Sequence, residues 1–415
     1  MGIDSVHCFA PLSQLPDPNS VMIRALRSEF NSVFTPERYS SFLAMMDTRA
    51  GTHIEFRICE TPVFVPEPLE AKLFAATCDI LRQLVTDTAR RNAQAAFPRG
   101  AEAPDESAHP EFAQVDFAVT REQDGQLGIR LIELQGFPSL YAFQEMFGRT
   151  AREFYGYGSL RHLAPSLSAA AFHDLFRLAV VGQHDPSEVI LLEVDPLHQK
   201  TLPDFLLTES LLGIETVDIT TVIKKDRQLF YLSKSGRHIP IRRIYNRVIM
   251  DEIVRRGIRL PFAFTDSLDL EWACHPNWFY RISKFSLPFI EHQTVPPARI
   301  LDGIGTIPDN LEDYVLKPLY SFAGGGVIVG PARAQVESIP VKMRGQYLLQ
   351  ERVRYAPILE TPSGPAFVEL RVMVLWIDEP VPVMLLARMG KGAMMGVDYN
   401  SSTDWVGASC ALISA

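Results

Sequence analysis

Between residues 314 and 330 the chain reads YVLKPLYSFAGGGVIVG. A strand-length apolar run ends in Lys317-Pro318, and a loop containing Gly324, Gly325 and Gly326 leads into a second apolar run. Three glycines in succession let backbone N–H groups approach phosphate oxygens with no Cβ in the way. A lysine at the preceding strand end brings a cation to the same oxygens. The stretch is not a Walker loop, because no Lys-Ser/Thr follows the glycines and a strand rather than a helix comes next. Taken alone, it reads equally well as a glycine-rich hairpin with an incidental lysine.

The surrounding sequence decides between these readings. YLLQERV, residues 347–353, is an apolar strand that turns polar at Gln350-Glu351 and continues into Arg352 and Val353. A strand end beside a phosphate loop can offer backbone hydrogen bonds and apolar stacking to an adenine. VELRVMVLW (368–376) and MLLARMGKG (384–392) each carry one arginine, Arg371 and Arg388, inside a strand-like run. A buried arginine is costly without an anion or a partner, and a transferred phosphate or substrate carboxylate would supply one; an internal ion pair is the plain alternative. Nearer the front, VDFAVTREQDGQLGIRLIELQGFPSL (115–140) reads as strand, Asp124-Gly125 turn, strand, Gly-Phe-Pro turn.

Strand, Lys-Pro, glycine loop, strand, a Gln-Glu hinge and two strand arginines together resemble the ATP-grasp superfamily. HPNWFYRISKFSLPFIEHQTVPPA (275–298) resembles the family's stretch in which a lysine starts a helix and a "VP" strand follows. The resemblance makes Lys284 and Lys317 the two ATP lysines. Family members usually end in an aspartate on one strand and Glu-x-Asn on the next, which hold the magnesium ions. The resemblance makes Asp116 and Glu133-x-Gln135 that metal-binding set, ahead of the nucleotide elements; Glu133 and Gln135 share a strand face, and their oxygens are of the type Mg²⁺ takes. The rotated order resembles the circularly permuted members, such as eukaryotic glutathione synthetase and glutathionylspermidine-synthetase-like proteins. Gln135 departs from the family's asparagine. Leu319-Tyr320-Ser321-Phe322 lacks the acidic metal ligand that eukaryotic glutathione synthetases carry after the second lysine. Asp398 and Asn400 stand where some relatives place an asparagine near the metals.

The resemblance implies an α/β (α+β) fold, an ATP-grasp in permuted order with a Rossmann-like pre-ATP-grasp domain and a helical N-terminal region. The expected divisions are 1–110, mainly helical, with a Pro-, Ala- and acid-rich loop or linker at 98–110; 111–185, the metal-binding strands; 186–275, the Rossmann-like unit; and 276–415, the nucleotide-binding part. EVILLEVD, the helix TLPDFLLTESLLG closed by Gly213, IETVDIT and a hairpin turning at Ser235-Gly236 support the third of these. That unit lacks GxGxxG after its first strand, which speaks against a nicotinamide site.

The implied chemistry is ATP- and Mg²⁺-dependent joining of a carboxylate to an amine or thiol through an acyl phosphate, with Arg371 and Arg388 catalytic and small-molecule or peptide substrates. A small-molecule kinase and an inactive nucleotide-binding protein stay open. Composition is that of an ordinary globular chain: 47% apolar, 21% charged, net charge −9. The acidic balance argues against nucleic acid or an anionic membrane as partner. No apolar run approaches the roughly 18–20 residues of a spanning helix. The start lacks a signal-peptide order, and Val6 breaks the myristoylation pattern. Five scattered cysteines make neither a disulfide framework nor a zinc site, so the cytoplasm is the expected location. The histidines, including His275 and His292, show no ligand spacing. Nothing in the sequence fixes the oligomeric state, and a homodimer stays open.

Overall fold

The structure is a computed structural model that describes residues 23–319, 325–392, 395 and 403–414. Gly324, Asp398, Asn400 and the segment 320–322 lie outside the described residues.

The N-terminal region forms α1 (Arg24–Val33), α2 (Pro36–Ala50), strand β1 (Val63–Val65), α3 (Glu67–Leu84) and α4 (Asp87–Ala93). Apolar residues stand at helical spacing across 70–91, yet the helix is not continuous there. It breaks because the Thr86 side chain accepts the Ala89 N–H and starts α4 afresh. Next come β2 (Phe112–Arg121) and β3 (Leu127–Gln135), joined through Gly125 at φ 84°, then α5 (Tyr141–Tyr155) and α6 (Ala169–Val181). The middle of the chain holds β4 (Val189–Glu193), α7 (Leu202–Leu212), β5 (Glu215–Asp218), β6 (Ile223–Lys225), β7 (Gln228–Leu232), β8 (His238–Ile241), β9 (Arg243–Asn246), α8 (Met250–Arg256) and β10 (Glu271–Ala273). The last part contains α9 (Trp278–Arg281), β11 (Ala298–Ile300), β12 (Tyr314–Pro318), β13 (Ile328–Val329), α10 (Arg333–Glu337), β14 (Tyr347–Glu351), β15 (Phe367–Trp376), β16 (Pro380–Gly390) and β17 (Gly407–Ile413).

Among the described residues these strands make a central sheet ordered β1-β17-β16-β15-β2-β3 and a parallel sheet ordered β10-β9-β4-β5. An antiparallel sheet is ordered β11-β14-β12-β13, and β6-β7-β8 form a small meander. The central sheet joins distant segments: β2 lies against β15, and β1 runs parallel to β17. The N-terminal helices are therefore tied to the sheet through β1 and through α3, whose Leu69, Leu73, Ile80 and Leu84 share a core with β2 and β15.

Alternation along the central strands gives its two faces different tasks. Ala113, Val115, Phe117 and Val119 of β2 face the α3 core together with Val368, Leu370 and Val372 of β15. On the opposite face, Phe112, Met373, Leu375, Met384 and Leu386 pack with Phe172 and Phe176 of α6. Further along that second face the apolar residues give way to Gln114, Asp116, Glu369, Arg371 and Arg388.

Residues 98–110 form a loop that side chains hold down. Asn277 accepts the Ala103 N–H and donates to the Ala103 carbonyl, at 2.8 and 3.0 Å. Trp278 donates to Ser107, Arg281 pairs with Glu106, and buried His275 hydrogen-bonds the Pro104 carbonyl. This strap holds α9 and the segment that follows it. There Ser283 accepts the Phe285 amide and caps a single 3₁₀ stretch, Lys284–Phe289, where the sequence suggested a longer helix. Gly136 brings the end of β3 against the same segment, donating its N–H to the Ile282 carbonyl at 2.9 Å. A Cβ at Gly136 would lie 2.6 Å from the Trp278 carbonyl oxygen. Gly136→Ala is therefore expected to cost about 1–3 kcal/mol through overpacking. A urea midpoint equal to that of the wild type would show that the junction yields freely.

Candidate active-site cleft

A cavity of about 1030 Å³ opens between the antiparallel sheet and the charged part of the central sheet, and reaches the carboxyl ends of β4 and β9. Strand alternation builds its walls. Val315 and Lys317 of β12 face it while Leu316 turns to the core behind. Phe367, Glu369 and Arg371 of β15 line it, as do Glu133 and Gln135 of β3 and Arg388 of β16. Lys284, Gln350, Glu351, Arg352 and Val353 complete that side. Gly325 and Gly326 are exposed at the β12–β13 turn. Gly326 adopts φ +72°, where a side chain is strained, and a Cβ there would meet Pro318 at 2.9 Å.

Lys317 and Lys284 are both buried. The Lys317 ammonium donates to the Ile132 carbonyl at 2.8 Å. That carbonyl is available because β3 bulges there: Asp116 pairs with Glu133 and Phe117 with Leu131, leaving Ile132 as the extra residue. Burial pulls the Lys317 pKa down to about 8; Glu133 opposes the shift and Lys284 reinforces it.

Asp116, expected as a metal ligand, has both oxygens taken by arginines. Arg371 Nε donates to Oδ1 at 2.5 Å and Nη2 to Oδ2 at 2.7 Å, and Arg388 also donates to Oδ2. The reason is register: Asp116 stands directly across from Arg371 on β15. Burial alone would raise the Asp116 pKa, but Arg371 and Arg388 outweigh it and hold the carboxyl below its usual range. Arg371 and Arg388, expected to meet substrate charge, are thus partly spent on internal pairs. Arg388 reaches Glu369 as well, at 2.5 Å, although its Nε has no hydrogen-bond partner. Burial raises the Arg388-paired Glu369, whose other oxygen accepts the Tyr355 hydroxyl at 2.7 Å. Glu133 is the more open carboxylate, with a side chain 32% exposed. Among the described residues no three His, Cys, Asp or Glu side chains form a group able to hold a metal ion by themselves.

Gln350 is 2% exposed, and its Nε2 has no partner. The Arg352 N–H is already bonded to the Asp313 carbonyl at 2.7 Å.

Several cavity residues escaped the sequence reading. Glu369 stands two positions before Arg371 and shares its face by simple alternation, so the signal was present in VELRV. Glu193 and Arg247, at the carboxyl ends of β4 and β9, form the far wall. Burial pushes Glu193 up to about 8, against the pull of Arg247. Arg247 itself pairs with buried Asp204 at 2.6 Å, and Asp204 also accepts the Leu140 and Phe143 amides at the start of α5.

Asp116→Ala would strand two arginines in a buried place and is expected to cost about 3–5 kcal/mol, as breaking a buried pair does. Chemical denaturation of the variant checks this, and a loss under 1 kcal/mol would contradict it.

No model of a known protein family matches this chain, and no curated protein matches it. Among solved structures it is similar to a glutathione synthetase-like effector from Globodera pallida in its apo form. The TM-score is 0.57 at 11% identity, over 91% of this chain and 96% of the other. At that identity the likeness shows the fold alone: this chain has the architecture of a glutathione synthetase-like protein.

Proposed function

We propose that the chain is an ATP-dependent ligase that joins a carboxylate to an amine or thiol, with its ATP-grasp elements in circularly permuted order. The observation that carries this reading is the convergence of buried Lys317 and Lys284 on one cavity, beside an unpartnered Gln350 amide. The Lys317 ammonium is buried on a carbonyl, a costly place for a charge, and a polyphosphate in the same cavity would relieve it. The Gln350 donor lacks an acceptor that an adenine would provide. The positive φ of Gly326 suits a loop whose amides cradle phosphates. The permuted order is supported by β2 lying against β15 with β3 outside it, and the ligase class by the glutathione synthetase-like architecture.

In this reading Lys284, Lys317 and Gly324–326 hold the phosphates, and the segment Gln350–Val353 borders the base. Glu133 and Gln135 would hold Mg²⁺, which when bound neutralises phosphate charge. A substrate carboxylate oxygen attacks the γ-phosphorus and ADP leaves. An amine then attacks the acyl phosphate carbon, phosphate leaves, and the amine proton passes to water. Arg388 and Arg371 would offset charge on the transferred group. The part of the cavity near Arg247 and Glu193 leaves room for the substrates beyond the nucleotide.

Thermal-shift titration with ATP and a non-hydrolysable analogue, with and without Mg²⁺, tests the nucleotide site. A Mg²⁺-dependent rise in melting temperature is expected. Phosphate release that requires both a carboxylate and an amine would separate a ligase from a kinase. Lys317→Ala is expected to weaken ATP binding about 10- to 100-fold, the worth of one charge-assisted hydrogen bond, with little effect on melting temperature. Unchanged affinity would sink the assignment.

A pH effect follows from Lys317. With its pKa near 8 the amine is half neutral at pH 8, and a polyphosphate favours the charged form. Binding should therefore take up roughly half a proton at pH 8 and less at pH 6, where the lysine is already charged. Calorimetry in buffers of different ionisation enthalpy measures this, and proton release at pH 8 would contradict it.

A further inference from the structure

Three carboxylates stand on the charged face below the cavity, and their oxygens are unequally available. Asp116 is 2% exposed and each oxygen holds a guanidinium hydrogen bond. Glu369 is 4% exposed, with one oxygen on Arg388 and the other on Tyr355. Drawing either onto a metal would expel a guanidinium into a buried place without its counter-charge, a strongly unfavourable exchange. Glu133 differs, since its side chain is 32% exposed and the Arg371 Nη2 lies 3.9 Å from its oxygen.

Beside it, the Gln135 amide has one consistent orientation. Its Nε2 donates to Gln114 Oε1 at 2.6 Å and, more weakly, to the Phe137 carbonyl at 3.5 Å. The Gln114 amide cannot be turned over, because its Nε2 donates to the Ser139 carbonyl at 2.6 Å while its Oε1 accepts from Arg371 Nη1 at 3.0 Å. A carbonyl only accepts and a guanidinium only donates, so the chain Arg371, Gln114, Gln135 leaves Gln135 Oε1 as the unspent acceptor beside Glu133.

We infer that this site takes one divalent cation, held by Glu133 and the Gln135 amide oxygen, and that the Arg388 guanidinium permanently fills the place between Asp116 and Glu369 that a second cation would need. The inference rests on the nucleotide reading above, because phosphate oxygens and water must complete the coordination shell. Asp116 then belongs to the protein's own ion-pair network, and Gln114 and Arg371 act on the cation by orienting Gln135.

Mn²⁺ is the probe. Paramagnetic resonance of the full chain with a non-hydrolysable ATP analogue counts bound ions, while a fluorescent analogue without metal reads nucleotide binding separately. One Mn²⁺ per chain, with no spin coupling between ions, is expected. Two coupled ions, or none with the analogue bound, would overturn the inference and leave the nucleotide reading standing. No analogue binding under any condition would overturn both. Glu133→Gln and Gln135→Leu should each weaken Mn²⁺ binding at least about ten-fold, on the scale of lost metal-site interactions, with metal-free analogue binding retained. Gln114→Leu should weaken it similarly in the wild type and have no further effect in the Gln135→Leu background. An additive loss would instead assign Gln114 a merely structural role and refute the orienting chain.

Discussion

Two arginines and two carboxylates on one face of the central sheet set the terms for the site. Arg371 lies across from Asp116, and Glu369 across from Arg388, so the network joins β2, β15 and β16. These strands come from opposite parts of the chain and are otherwise mostly apolar. A register slip of one residue would turn Asp116 into the α3 core and leave the arginines without counter-charges. Apolar packing on α3 and α6 favours the sheet in general, while the ion pairs favour this register in particular. Their position is what puts Glu133 and Gln135 at the cavity.

Across the cavity the antiparallel sheet makes a different use of charge. Lys317 is buried and meets a carbonyl rather than a carboxylate, so its charge is poorly compensated and its pKa falls to about 8. The β3 bulge supplies that carbonyl and links the two sheets at the place where their charges face each other. One wall is thus balanced by ion pairs, and the other sets the Lys317 ammonium on a main-chain carbonyl.

Much of the fold was legible because it rests on local signals. The hairpin turn at Gly125, the helix closed by Gly213 and the parallel strands β4 and β5 follow from periodicity and from residues with the right backbone freedom. The cavity members on strands, from Lys317 to Arg388, could be named because a charge inside an apolar run is conspicuous. What stayed hidden depends on partners far away in sequence. Nothing near Asp116 announces that Arg371 and Arg388 claim both its oxygens. Nothing in PRGAEAPDESAHP announces that Asn277, Trp278 and Arg281 will bind it down. Three residues at 63–65 are too few for alternation to reveal that β1 closes the sheet.

That last strand has a kinetic consequence. β1 pairs with β17 across almost the whole chain, and β2 waits for β15. Contacts of such sequence separation carry a large loop-closure cost before they return any stabilisation. During synthesis the parallel sheet β10-β9-β4-β5 can pair as soon as residue 273 has emerged, while the central sheet must wait for residues 407–413. Until then β1 and the β2–β3 hairpin expose unpaired edges and apolar faces, the surfaces on which aggregation begins. The late arrival of β15–β17 makes this region, rather than the parallel sheet, the one most dependent on chaperone protection.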